Sequence, residues 1–456
     1  MEELYRYIDD HFDEYVADLK RLCQQPSVSA QSLGITESAS LVAAMLAEAG
    51  MDARVMPTPG GQCPVVYGGA LGRTPFTLLL YDHYDVQPPE PLEEWTTSPF
   101  DPVVSDGKLY ARGASDNKGN LVARLAAIRA CRAVFGHLPV AIKFLIEGDE
   151  EIGSPHLEPF LKEHRELFRA DACIWEGSQV SWDGRPHIIL GVKGILYVEL
   201  EAYGPDTDLH SSWATVVPNP AWRLLWALST LKGPDERVLI DGFYDDVRPA
   251  TPEEMAALDA IPPEDQDTMR TFGLSGLLGG ASGREFWRRH LYEPTCNICG
   301  ILSGYTGEGA KTVLPRVAKA KLDFRLVPNQ RPQDIFDKLR RHLDRNGFAD
   351  VFMSATMDGE PPARTPINSP FVKLVAEAAQ EVYGKPPIIM PTMAATGPMA
   401  YVVETLGLPV ADSGVGYPGS RVHAPNENIR LDDFKLGIKQ IATVLHKLGQ
   451  APLGMP

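Results

Sequence analysis

Phe76-Thr77-Leu78-Leu79-Leu80-Tyr81 is followed at once by Asp82-His83-Tyr84-Asp85-Val86-Gln87-Pro88. Six residues with almost no polar interruption suit a strand buried on both faces, as in a parallel sheet covered by helices. The polar cluster then falls where open α/β sheets bind ligands, outside the carboxyl end of a strand. His83 and Asp85 lie two apart and so share a face. Alone, His-x-Asp is a weak signal, and most such pairs are ordinary loop residues.

Working outward, the same pattern recurs. Val140-Ala141-Ile142-Lys143-Phe144-Leu145-Ile146 reads as a strand and runs into Glu147-Gly148-Asp149-Glu150-Glu151-Ile152-Gly153. Ala172-Cys173-Ile174-Trp175 reads as another and ends in Glu176-Gly177. Asp116 stands just before a helix predicted over Leu121–Val134, where a plain N-cap role would account for it. A Gly-rich loop from Ser413 carries Arg421-Val422-His423-Ala424-Pro425-Asn426-Glu427. Helices are predicted over Asp9–Leu22 and Ala39–Ala49. Strand and helix in this alternation favour an α/β unit.

From Gly194 the texture changes. Ile195–Tyr203 and Lys311–Leu326 alternate apolar and polar, as half-buried strands of an antiparallel sheet do. Helices follow over Pro220–Leu231 and Pro332–Asn346, the second opened by a proline where its missing N–H costs least. Residues 240–292 are acidic and rich in Pro and Gly, an elaboration of the same unit. After Pro370 the α/β texture resumes, with helices over Phe371–Tyr383 and Leu431–Leu448 and a strand near Leu408–Val410. The expected architecture is an α/β domain (1–193 and 369–456) interrupted by an α+β domain (194–368).

Composition narrows the function. The 456 residues carry 43 Lys+Arg against 60 Asp+Glu, a net charge of −17 without basic clusters, which disfavours nucleic acid and anionic membrane surfaces. No window approaches 18 unbroken apolar residues, so no membrane span is expected. Met1-Glu2-Glu3-Leu4-Tyr5-Arg6 has neither the basic nor the apolar part of a secretory leader. Six cysteines in a chain this long make no disulfide framework, and the expected location is the cytoplasm. Cys296-Asn297-Ile298-Cys299 lacks the second ligand pair a structural zinc needs and is read as two small buried strand residues. No glycine fingerprint of a P-loop or Rossmann site follows a strand.

Taken singly, each polar cluster has an ordinary explanation. Together they place His, Asp and Glu on one edge of the sheet. Asp85, Asp116, Glu150, Glu151 and Glu176 would gather there with no obvious Lys or Arg among them, and like charges so close raise pKa values and destabilise a fold. Two divalent cations would relieve this. Imidazole and carboxylate donors without thiolate suit zinc, manganese or cobalt.

The chain resembles the M20 family of dinuclear metallopeptidases, above all its carnosinase-like dipeptidase branch. The resemblance rests on YDHYDVQP, EWTTSPFDPVVSDGKLYARGASDNKG, LIEGDEEIGS, GAKTVLPRVAKAKLDFRLVPNQ and HAPNENI, and extends to about residue 445. It implies an α/β catalytic domain with an inserted α+β lid that also forms a homodimer. By the same resemblance, His83, Asp116 and Glu176 hold one metal, with Asp116 bridging, and Glu151 and His423 complete the other site. Glu150 corresponds to the general base and Asp85 to the partner of His83. Two such metals, about 3.5–4 Å apart, acidify a shared water and polarise the scissile carbonyl. His210, in Asp208-Leu209-His210-Ser211-Ser212, corresponds to an oxyanion donor acting across the dimer, with Ser212 where the family has Gly. Arg325 corresponds to the residue binding the substrate carboxylate, and Thr312, Thr396 and Gly397 to further substrate positions. Two departures bear on specificity. Glu176 stands where many carnosinase-like relatives have Asp, a swap that accompanies different substrate classes. Met357-Asp358-Gly359-Glu360-Pro361 replaces a turn that carries His in carnosine-cleaving enzymes. The expectation is a dipeptidase for short peptides with a free carboxylate. An N-acyl-amino-acid deacylase or small-peptide carboxypeptidase with the same site is the alternative, and a non-catalytic binding protein the distant one.

Overall fold

The computed structural model describes residues 1–355 and 359–451. Its larger sheet has six strands, in the spatial order Asp52–Met56, Val65–Ala70, Val140–Glu147, Thr74–His83, Ala172–Trp175 and Val410–Asp412. The last four run parallel; the first two are antiparallel additions at one edge. Alternate residues of the opening stretch feed two different cores. Leu78 and Leu80 pack with Ile142, Phe144 and Ile146 against the helices Lys118–Phe135 and Leu431–Gln450. Leu79 and Tyr81 face Leu145, Cys173 and Trp175 on the other side, with the helices Leu157–Glu163 and Met399–Leu406. A strand covered on both faces needs apolar residues at every position, which is why the run is unbroken.

The inserted unit has a four-stranded antiparallel sheet in the order Asn297–Ser303, Val317–Leu326, Gly194–Tyr203 and Phe352–Ala355. Leu196, Val198, Leu200, Ala318, Ala320, Leu322 and Phe324 bury one face against the helices Pro220–Ser229 and Pro332–Arg345. The other face carries ion pairs such as Lys321–Glu199 (3.2 Å). Alternation here follows from one dry and one wet face. The architecture is thus the expected α/β domain with an α+β insertion.

Several boundaries differ from expectation. The N-terminal helix is two, Glu2–Asp10 and Phe12–Gln24, broken at His11. Lys311–Leu326 is also two strands, Val313–Leu314 and Val317–Leu326, because Pro315 has no N–H to give the ladder. The acidic elaboration holds three short helices, Pro252–Asp259, Asp265–Phe272 and Gly283–Tyr292. Only one of the two Cys-x-x-Cys thiols is buried. Cys296 is, just ahead of its strand, whereas Cys299 is exposed on an irregular stretch with Sγ 3.1 Å from Asp323 Oδ1.

Candidate metal centre

Register sets the site. His83 pairs with Glu147 and Leu80 with Ile174, so the three parallel strands end within two residues of one another. Their following loops therefore converge, bringing His83, Asp85, Glu150, Glu151 and Glu176 to one edge. The buried Arg124 ties the strand ends from beneath, pairing with Asp82 (2.7 Å) and donating to the carbonyl of Trp175 (2.6 Å).

Asp116 lies at the middle. Its Oδ1 is 3.1 Å from His83 Nε2 and its Oδ2 is 3.1 Å from His423 Nε2. Around His83 Nε2 stand Glu176 Oε2 at 3.5 Å and Glu150 Oε2 at 4.0 Å. Around His423 Nε2 stands Glu151 Oε2 at 3.1 Å. His83, Asp116 and Glu151 each offer a ligand atom within 4.8 Å of the others. Two overlapping half-sites, His83–Asp116–Glu176 and His423–Asp116–Glu151, share one carboxylate.

The supporting contacts fix these groups in place. His83 Nδ1 lies 3.3 Å from Asp85 Oδ1 and 3.0 Å from the Asp85 carbonyl, which turns Nε2 inward. Asp85 also accepts from the backbone N–H of Glu150 (3.2 Å) and of Glu151 (3.0 Å), so one buried carboxylate orients the imidazole and the Glu150–Glu151 turn together. Gln87 Nε2 donates to Glu151 Oε2 at 2.8 Å. The Asn117 amide donates to Glu176 Oε2. Asp116 is not a helix cap; Asn117 occupies that position, leaving both Asp116 oxygens free to face the imidazoles.

Glu427 has no role in the sequence reading, yet it holds the central loop. Its two oxygens accept from Arg112 Nη1 (2.8 Å) and from the N–H groups of Gly113 (2.9 Å), Ser115 (2.9 Å) and Asp116 (3.0 Å). Burial pushes its pKa up and Arg112 pulls it back; four donors aimed at it leave no acceptor for a proton of its own, so it sits as the carboxylate. Its only sequence signal was its place in the His423–Glu427 motif. Arg112 and Arg124, the two buried guanidiniums beside the acids, are both already engaged.

The electrostatics express the crowding. Burial first, then Asp116, Glu151 and Asp85 against the opposing pull of His83, push the Glu150 carboxyl up to about 8. Burial drives Glu176 well above the carboxylate range, with His83 opposing and Glu150 and Asp116 adding. Burial works against charge on His83, but Glu176, Asp116 and Asp85 outweigh it and raise the imidazole well above its usual value. Hydrogen bonds to Asp116 and Glu151 raise His423 to about 10. For Asp116 burial is overturned by His423 and His83, which hold it below the usual range. Protons on imidazoles and carboxyls are thus the positive charge that this cluster of acids demands. Divalent cations fill that need better, displacing those protons. The donor set, imidazole nitrogen and carboxylate oxygen, fits zinc, manganese or cobalt.

The remaining predicted residues form two further groups. Arg325, on the central strand of the inserted sheet, donates from Nη1 to Thr396 Oγ1 at 2.7 Å, and Gly397 beside Thr396 borders open space. His210 and Thr312 are exposed neighbours, with Nε2 3.5 Å from Oγ1, and His210 Nδ1 lies 2.9 Å from Ser212 Oγ. The contacts of His210 are thus with its own unit, and none joins it to the metal-site side chains among the described residues. Of the turn 357–361, Met357 and Asp358 lie outside the described residues.

This constellation on an α/β sheet edge defines a peptidase of the metal-dependent kind, and the chain belongs to peptidase family M20/M25/M40, whose model matches residues 79–447. It is 30% identical to the Cys-Gly metallodipeptidase dug1 of Schizosaccharomyces pombe over 98% of both chains. Among solved structures it is similar to the M20 family metallo-carboxypeptidase Sso-CP2 from Sulfolobus solfataricus (TM-score 0.88, 41% identical, 96% of this chain and 100% of that one). Human carnosine dipeptidase 1 is similar too (TM-score 0.78, 28% identical, 99% of each).

Proposed function

We propose that this M20 peptidase is a dinuclear dipeptidase, cleaving the amide bond of dipeptides or short peptides with a free C-terminal carboxylate. The observation that carries the reading is Asp116, whose two oxygens face His83 and His423 one each at 3.1 Å. His83, Asp116 and Glu176 would hold one cation and His423, Asp116 and Glu151 the other. Zinc or manganese, or else cobalt, suits these donors, and two such ions supply Lewis acidity to the attacking water and the scissile carbonyl. Glu150 takes the proton of the attacking water and returns it to the leaving amine. A carboxyl pushed up by burial is suited to that exchange near neutral pH. Asp85 holds His83 and the Glu150 backbone in register. Arg325, with Thr396 and Gly397, receives the substrate carboxylate, for which a guanidinium offers paired donors.

His210, with Thr312 beside it, stabilises the developing oxyanion in the active site of a partner subunit. A homodimer through the inserted unit is supported by apolar exposure on that unit. Ile298, Ile301 and Leu302 on its edge strand and Trp222, Leu225 and Trp226 on its helix Pro220–Ser229 are all more than 40% exposed. We place the domain boundaries at 193/194 and 368/369. No helix among the described residues is long and apolar enough to cross a membrane. All six cysteines are free, which supports a reducing compartment, the cytoplasm.

A second reading, a carboxypeptidase for short peptides, is favoured by the 41% identity to Sso-CP2. Amine release from dipeptides, tripeptides and N-acyl amino acids, after loading with Mn²⁺ or Zn²⁺ and with Glu150→Gln as control, separates the readings. Turnover of dipeptides that the control loses is expected. Preference for longer peptides moves the chain to the carboxypeptidase reading, turnover of N-acyl amino acids alone makes it a deacylase, and no turnover leaves a binding protein.

A further inference from the structure

Glu360 is a buried carboxylate whose Oε2 has no hydrogen-bond partner among the described residues, placed between the lid's cationic anchor and the metal loop. Its backbone exchanges hydrogen bonds with Ile195 (2.8 and 2.9 Å), and Ile195 pairs on its other side with Arg325. Residues directly opposite one another across neighbouring strands share a face. Glu360 and Arg325 therefore project to the same side, roughly 10 Å apart along the sheet, twice the interstrand spacing. Glu360 Oε1 lies 4.0 Å from where a side chain on Gly153 would begin, and Gly153 closes the turn that carries Glu150 and Glu151.

The residue is only 9% exposed, and its Oε2 accepts no hydrogen bond among the described residues. Nor does any ion pair join it to Arg325, which is turned to Thr396 instead. Burial raises its carboxyl to about 7, with Arg325 pulling it back. A desolvated acid with an unused acceptor is costly unless something completes it. The structure needs no such group there, since the backbone pairing with Ile195 is satisfied without the side chain. A cationic group on a bound ligand would complete it.

We infer that Glu360 binds a basic side chain on the C-terminal residue of the substrate, so that peptides ending in Lys or Arg are preferred. This rests on the proposed function: with the terminal carboxylate on Arg325 and the scissile carbonyl at the metal loop, the group left to reach Glu360 is the side chain of that same residue. A long aliphatic stem ending in an ammonium or guanidinium spans from one anchor to the other.

The test compares kcat/KM for Ala-Lys, Ala-Arg, Ala-norleucine and Ala-Glu with the Mn²⁺-loaded full chain, its Glu360→Gln variant and its Glu360→Lys variant. Norleucine keeps the stem of lysine and removes the charge. The native enzyme should favour Ala-Lys over Ala-norleucine by about tenfold or more, as expected of a charge-assisted hydrogen bond. Glu360→Gln should bring that ratio to within about twofold of one, and Glu360→Lys should turn the preference to Ala-Glu. A ratio that Glu360→Gln leaves unchanged overturns the inference while the dipeptidase reading stands. A uniform loss on every dipeptide does so too, and would put Glu360 on the α-ammonium. If no dipeptide is turned over, the dipeptidase reading falls and calorimetry with free lysine and norleucine decides. Tighter binding of lysine that Glu360→Gln abolishes sustains the site, and equal binding overturns it.

Discussion

Replacing Glu427 by Gln tests whether the proposed metal centre is preorganised by the fold. Glu427 is fully buried and its oxygens collect four donors, one of them the buried Arg112 guanidinium at 2.8 Å. Glutamine keeps the volume but loses the charge, and its amide NH₂ must point at N–H groups that also donate. Among the described residues Arg112 then keeps the carbonyl of Pro88 at 3.2 Å and the face of the Trp95 ring, neither of which is an anion. Removing one partner of a buried ion pair costs about 3–5 kcal/mol, because the other charge stays buried without compensation. The same change frees the Gly113–Asp116 loop, so Asp116 is no longer held midway between the imidazoles. Loss of such supporting contacts lowers metal affinity by about 10–100-fold. Urea unfolding of the apo chain and competition with a fluorescent chelator read the two effects separately. A fall of less than about 1 kcal/mol together with native metal affinity would refute the assignment.

Arg325→Met should lower kcat/KM for dipeptides by about ten- to a hundredfold, mostly through KM, since one charge-assisted contact to the terminal carboxylate is lost; steady-state kinetics would show otherwise as an unchanged KM. His187 is buried with both ring nitrogens unpartnered among the described residues, and burial lowers its pKa from 6.5 to about 4. Its folded pKa is depressed, so the unfolded chain binds the proton more tightly, and stability present above pH 6.5 is lost as pH falls towards 4, by up to about 3 kcal/mol. His187→Phe should flatten that part of the stability–pH curve measured by urea denaturation, and an unaltered slope would exclude His187 as its source. Mixing His210→Ala chains with Glu150→Gln chains should restore part of the activity if His210 serves the partner's site; no recovery after verified subunit exchange contradicts this.

Much of the fold could be read from period alone. Leu78–Tyr81, Val140–Ile146 and Ala172–Trp175 are apolar at nearly every position because two cores cover them, and their ends carry the acids. Asp52–Met56 escaped because it is an edge strand with no buried residue and a charge at either side of Ala53. Val65–Ala70 escaped because Gly68 and Gly69 interrupt its strand character. The helices of 240–292 are only eight to ten residues long, two or three turns, too short for a period to stand out. Glu427 and Asn117 act through contacts that no local pattern encodes. Glu427 grips backbone N–H groups more than 300 residues away, and any residue offers those alike. Asn117 looks in sequence like an ordinary helix start, and only the fold brings Glu176 to its amide.

The most direct test of the dinuclear site is a titration of the apo chain with Mn²⁺ or Zn²⁺, following bound metal and dipeptide turnover together. Two ions should bind per chain, with full activity only at the second equivalent, and Asp116→Asn should lose both, since it serves each half-site. Full activity at one equivalent, or two tightly held ions in Asp116→Asn, would contradict a centre bridged by Asp116.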